Sequence, residues 1–294
     1  MKFGAADIGG VYYSFASTFT QLADKEIDGY TFETKTTAGS VANLRLISDG
    51  YIDLAIVQAD LLSDAYNATG TFTDKKYQKG YKAVASLYTE CCQIVVRKDS
   101  GITGIDDLIN KTVSVGASES GSEKNAEQIL KMSGITDELI NKVNMDYTEA
   151  AEKLKAGEID AFFCTAGTRT EVVGQLSKEC DICLISLDDK CIDKMLSAYS
   201  LCEKYTIPAG TYNGQDSDVT TIGVKAVLIA KQSLSDDVIK NVTKTIYEHA
   251  DDFKYATSLD ISFDINTAAD GVDIPFHSGA AAYYTERGIN VLTE

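Results

Sequence analysis

The chain has 294 residues with 44 Asp and Glu against 27 Lys and Arg, a formal net charge of −17. That excess of acid argues against a nucleic-acid partner, whose phosphates demand a basic face, and against docking on anionic lipid. Hydrophobic residues make up 44% of the chain, enough for a buried core, and the length suits two domains or one large one. No apolar run approaches the roughly 18–20 residues that span a bilayer; the longest, 224–230, contains Lys225 and is strand-length. Lys2 leads straight into apolar residues without the h-region of a signal peptide. The protein is therefore either cytosolic or exported by a segment outside this sequence, and composition leaves both open.

The predicted elements alternate. Phe3–Ile8 reads as a short strand broken by Gly9-Gly10, and Tyr12, Phe15, Phe19 and Leu22 then recur at helical spacing. Tyr30–Thr36 alternates as a strand. Gly39 supplies a turn and Ser40 an N-cap for a helix lined by Val41, Leu44 and Ile47, which Gly50 ends. Asp53–Gln58 is the continuous apolar run of a strand covered on both faces. Later come a strand at Thr112–Val115, a turn at Ser118–Ser122 and a helix at Asn125–Met132. A strand at Val143–Tyr147, a helix at Glu149–Ala156 and a strand at Ile159–Cys164 continue the rhythm. Such alternation predicts an α/β fold, mostly parallel sheets flanked by helices.

Two long extended segments interrupt it, Ala83–Lys98 and Val219–Lys231. The first exceeds the usual strand of about 5–6 residues. Two strands crossing between lobes explain both, with Arg97 serving the hinge and the helix Asp236–Ala250, capped by Ser235, returning to the first lobe. The expected division is 1–90 plus 222–294 for one lobe and 91–221 for the other. Only two prolines occur and no low-complexity linker, so the division is a hinge of strands.

Seven cysteines are an odd number and cannot all pair within one chain. Cys91 and Cys92 are adjacent on a predicted strand and point to opposite faces. Cys180 and Cys183 form a single CxxC with both histidines far off in sequence. Packed thiols or one disulfide fit better than a zinc site.

Several segments together resemble the TAXI family of solute receptors, the binding subunits of TRAP-type transporters. They are Gly9-Gly10-Val11-Tyr12-Tyr13, the run from Ala38 to Leu46, and Asp53-Leu54-Ala55-Ile56-Val57-Gln58. Ser86-Leu87-Tyr88 leads into the stretch Ile94–Ser100, which is similar to the family's crossover strand. Ile159–Phe163, Ala166-Gly167-Thr168, Ile207–Tyr212 with Gly214–Asp216, and Pro275, His277 and Gly279 complete the pattern in order. The resemblance implies a type II periplasmic-binding-protein fold, two α/β lobes joined by crossover strands and closing on a ligand. It implies an extracytoplasmic location, periplasmic or at the cell surface, as a free protein or a lipoprotein. It also implies an integral-membrane TRAP permease as partner, no cofactor, and a small carboxylate as solute, a glutamate- or glutamine-like amino acid or a dicarboxylate.

The residues themselves point to a similar site. In open α/β sheets ligands sit beyond the carboxyl ends of strands, and the loops Gly9–Tyr13, Thr37–Asn43, Gln58–Asp60 and Ser118–Ser122 lie there. Helix-opening loops offer unpaired N–H groups and a positive dipole end to an anion. Gly10, Ser40, Asn43 and Gln58 are candidates to contact a carboxylate or ammonium group. Tyr13 and Tyr88 are candidates to wall the pocket, although one of Tyr12 and Tyr13 must face the core. Ser120, Ser122 and Tyr212 complete the candidate set with Arg169. The family often reads Ser-Gly-Thr-Arg in the second-lobe loop, where this chain has Ser120-Gly121-Ser122-Glu123. Arg169, one of only four arginines, is the compensating candidate for a bidentate carboxylate contact.

Enzymatic readings find little to stand on. The chain has two histidines in no nucleophile or metal setting, and no GxSxG, GxxxxGK or GxGxxG. Paired carboxylates for acid–base chemistry stay open on spacing alone. So do two non-enzymatic alternatives, a ligand sensor of the same fold coupled to a receptor or kinase, and an ABC-type or thiamine-precursor-type binding protein of the same fold. The Ile207–Tyr212 and Ser40–Leu46 motifs argue against the last.

Overall fold

The computed structural model describes residues 1–74, 77, 80–258 and 263–294. The chain opens with β1 (Lys2–Gly4), α1 (Val11–Glu26), β2 (Glu33–Lys35), α2 (Ser40–Ser48), β3 (Leu54–Gln58) and α3 (Ala59–Asn67). The long strand β4 (Tyr81–Arg97) follows, then β5 (Thr112–Ser114), α4 (Gly121–Met132), β6 (Asn141–Val143), α5 (Tyr147–Ala156) and β7 (Ala161–Ala166). Next come α6 (Glu171–Glu179), β8 (Ile182–Leu184), α7 (Asp189–Ala198), β9 (Cys202–Ile207) and a second long strand, β10 (Val219–Lys231). Helices α8 (Asp236–Glu248), α9 (Ala250–Thr257) and α10 (Ser278–Thr285) close the chain.

Two compact units emerge, the first formed by Met1–Ile8, Tyr12–Tyr88 and Lys225–Glu294 and the second by Gly9–Val11 and Thr89–Val224. The chain passes from one to the other within β4 and within β10, without a linker. Residues 219–224 of β10 pair antiparallel with β9, and residues 226–230 pair antiparallel with β3. Val219–Lys231 reads as one strand from sequence and is one. The 17-residue β4 is likewise a single uninterrupted strand.

In the first unit β2, β1 and β3 run parallel in that spatial order, and β10 joins β3. Parallel strands need crossover helices on the sheet faces, which is why every residue of β3 is buried. The core is aromatic. Phe3 of β1 meets Phe15 and Phe19 of α1 edge-on, at centroid distances of 6.5 and 5.5 Å. Phe15 stacks on Phe253 of α9 at 4.4 Å. Each such ring, withdrawn fully from water, is worth about 1.5–3 kcal/mol.

The second unit repeats the plan. Strands β6, β5 and β7 run parallel, and β4 pairs antiparallel with β7. Strand β8 pairs antiparallel with β4. Cys92, Ile94, Val113, Ile129 and Phe163 belong to one buried cluster, whereas Cys91 belongs to another with Ile207 and Val219, as opposite faces of a strand require. All seven cysteines are thiols. Burial, which disfavours the thiolate, pushes Cys92 up to about 12. Arg97 holds the carbonyls of Leu154 and Ile159 and the carboxylate of Asp99.

Candidate functional site

Because β1, β2 and β3 are parallel, their carboxyl ends share one edge of the first unit's sheet, and α1, α2 and α3 all follow from that edge. Sequence spacing makes Ser40 the cap of α2, but the helix begins at Ser40 and its cap is Gly39, at φ 120° and ψ −149°. Only glycine adopts that backbone readily. The Ser40 hydroxyl, freed from capping, accepts the backbone N–H of Gln58 at 3.1 Å, so it ties the start of α2 to the end of β3. Gln58 is itself the cap of α3, without a side-chain capping bond.

Asn43 proves to be structural. Its Nδ2 donates to the carbonyls of Ala5 at 2.7 Å and Ile56 at 2.9 Å, and its Oδ1 accepts the Thr37 hydroxyl at 2.7 Å. One fully buried amide thereby fastens the end of β1 and the middle of β3 to the β2–α2 loop, so this candidate for solute contact acts as a brace. Gln58 contrasts with it. Its side chain is 1% exposed, yet Oε1 has no hydrogen-bond partner among the described residues. A buried acceptor without a donor costs about 1–3 kcal/mol, which is unusual in a core and ordinary where a ligand supplies the donor. Tyr12 is buried and Tyr13 half-buried on α1, Gly10 is buried in the turn before that helix, and Tyr88 is buried on β4.

In the second unit the hydroxyl-bearing candidates are turned inward. Ser120 caps α4 by accepting the N–H of Glu123 at 3.0 Å. Ser122 accepts the N–H of Thr165 at 2.8 Å and shares a hydrogen bond with the Tyr147 hydroxyl at 2.5 Å. Tyr212 accepts the N–H of Thr170 and donates to Gln93 Oε1, and burial drives its ionisation far above the ordinary tyrosine range. Ser122 and Tyr212, expected from sequence to contact the solute, thus carry internal hydrogen bonds that brace the second unit. Glu123, which stands where the family often has a base, is also internal. Its Oε2 accepts the N–H of Glu119 and its Oε1 accepts Asn144 Nδ2, both at 2.9 Å. This is a capping-box arrangement closed one residue early, a signal that Ser120-x-x-Glu123 carried in plain view.

Arg169 is the exception. It lies in the turn between β7 and α6, exposed, with φ 66°. A non-glycine residue held there costs on the order of 1–3 kcal/mol, and such strain clusters at functional sites. It makes no hydrogen bond or ion pair among the described residues. Arg97 is tied to carbonyls, Arg287 lies over the Tyr283 ring at 3.6 Å, and Arg45 has a partner.

A family model described as NMT1-like matches residues 3–288. The chain belongs to the NMT1-like family. Its fold, mixed α/β with mostly parallel strands flanked by helices, is that of the periplasmic binding proteins. An ancestral arginine-binding protein bound to arginine superposes with a TM-score of 0.53 at 15% identity, covering 88% of this chain and 96% of that one. A binding component of an ABC phosphonate transporter from Pseudomonas aeruginosa gives 0.55 at 12%, covering 87% and 77%. The periplasmic aliphatic sulphonate binding protein of Escherichia coli gives 0.50 at 12%, covering 96% and 77%. At such identities the likeness shows the fold alone. Among the described residues of this NMT1-like chain, no helix is long and apolar enough to cross a membrane.

Proposed function

We propose that the protein is the solute-binding subunit of a membrane transporter, that its solute is a small carboxylate, and that it does no chemistry on it. The family and the fold support the binding role, because the solved structures that share the fold include binding proteins for arginine, sulphonates and phosphonates. The solutes of those proteins differ, so the carboxylate is argued from this chain's own residues.

The observation that carries it is Arg169. In a chain of net charge −17, long-range attraction does not favour an anion, and salt screens such fields beyond about 8 Å at physiological strength. Capture then depends on local groups. Of the four arginines, Arg169 alone makes no hydrogen bond, ion pair or ring contact among the described residues, and a guanidinium fork matches a carboxylate. The finer reading follows the sequence motifs, a TAXI-type receptor delivering a glutamate- or glutamine-like amino acid or a dicarboxylate to a TRAP permease outside the cytoplasm.

The test is calorimetric titration of wild type and Arg169→Ala with L-glutamate, L-glutamine and succinate. Wild type is expected to bind at least one, and the variant to bind it at least tenfold more weakly, a loss of about 1.4 kcal/mol. Unchanged affinity would assign the anion to backbone N–H groups. No heat from any of the three would remove the carboxylate reading.

A further inference from the structure

The two helix starts joined by the Ser40–Gln58 hydrogen bond have opposite electrostatic character. The first turn of α2 holds no acidic residue, so its positive end is left for an incoming anion. The first turn of α3 holds Asp60, only 8% exposed, so that helix end already faces a carboxylate of its own. At the junction sits Gln58, whose Oε1 is buried and without a partner among the described residues. An acceptor in that state recognises a donor.

From this juxtaposition we propose an α-amino-acid headgroup site in the first unit. The carboxylate lies at the N-terminus of α2, and the adjacent ammonium donates to Gln58 Oε1 beside Asp60. The proposal rests on the carboxylate reading and deepens it, because it selects an amino acid over a dicarboxylate. A single hydrogen bond of 3.1 Å separates the two helix starts, and an amino acid carries its ammonium and carboxylate on one carbon. A dicarboxylate brings a second acceptor to Gln58 and leaves Oε1 unsatisfied. A site whose buried polar atom is left unpaired by the wrong ligand discriminates strongly.

The experiment uses matched pairs that differ only in the ammonium, L-glutamate against glutarate and L-alanine against propionate. Wild type is expected to bind the amino acid of at least one pair roughly tenfold or more tightly than its partner. Gln58→Met should abolish that preference by weakening the amino acid and sparing the plain carboxylate. Its melting temperature without ligand should be equal or higher, since removing an unsatisfied buried acceptor relieves a cost. Gln58→Glu, which keeps an acceptor in place, should retain the preference and guards against a loss due to misfolding. Glutarate or propionate binding as tightly as the amino acid, or Gln58→Met weakening both members equally, would overturn the ammonium site and leave the carboxylate reading intact. Binding of no member of either pair would overturn both.

Discussion

The Tyr212 hydroxyl donates to Gln93 Oε1 at 2.5 Å while accepting the backbone N–H of Thr170 at 3.1 Å, so one phenol joins three separate stretches of the second unit. Every atom in this relay is buried, and removing the hydroxyl leaves both an amide oxygen and an N–H without a partner. Tyr212→Phe should cost about 1–3 kcal/mol of stability, read as a lower urea midpoint at constant slope. Solute affinity should stay within about twofold. A variant as stable as wild type but defective in binding would place Tyr212 in the solute site instead.

A second stability prediction concerns the approach of α10 to α8. A Cβ on Gly279 would lie 2.2 Å from the carbonyl oxygen of Asp236, and backbone cannot yield as a flexible side chain can. The two helix starts are also joined by the Ser278 hydroxyl donating to the Asp236 carboxylate at 2.5 Å. Gly279→Ala should therefore destabilise by about 2–3 kcal/mol, the upper part of the overpacking range. Differential scanning calorimetry checks it, and an unchanged melting temperature would mean the helices part without cost.

The two histidines give opposite pH dependences. His249 is hydrogen-bonded to the carboxylates of Asp252 and Glu26, which hold its pKa above the usual value of 6.5. Its contribution is complete below the unfolded pKa and is lost as pH rises through the raised folded one. His277 caps α10 by accepting the N–H of Gly279 at 3.2 Å, a task only an unprotonated Nδ1 performs. Burial lowers its pKa, against the opposing pull of Asp236. Its contribution is complete above the unfolded pKa of about 6.5 and is lost as pH falls toward the depressed folded value. His249→Gln should lower the urea midpoint at about pH 5.5 more than at about pH 8.5, and His277→Asn should flatten the acid-side decline. Parallel pH profiles for all three proteins would contradict the assignment.

The fold was largely legible because apolar periodicity records burial. The run 219–231 has apolar residues on both faces and turn residues at each end, and β10 has those bounds. Phe3–Ile8 is equally apolar to the eye, yet β1 ends at Gly4 and Ile8 is 63% exposed, since a loop beyond a strand is free to carry hydrophobics. The site was legible only as a set of loops. Asn43 and Gln58 are both buried amides at strand-to-helix junctions, and sequence cannot tell which one spends its hydrogen bonds on backbone. Asn43 spends them on the carbonyls of Ala5 and Ile56, while Gln58 keeps an acceptor unspent. Ser40 misreads as a cap because serine is favoured there, but Gly39 reaches a backbone angle that serine avoids. For Glu123, the capping-box spacing explains the acid more simply than a change of solute charge does.

The most direct measurement is a thermal-shift panel of amino acids, dicarboxylates, sugars, sulphonates and phosphonates on the wild-type protein. Binding to the folded state alone adds about 2.7 kcal/mol at a ligand concentration 100 times the dissociation constant, enough to displace the melting temperature visibly. The account predicts the largest shift from an amino acid, with its deaminated counterpart well behind. A clear shift from a sugar, a sulphonate or a phosphonate, with none from any carboxylate, would contradict it.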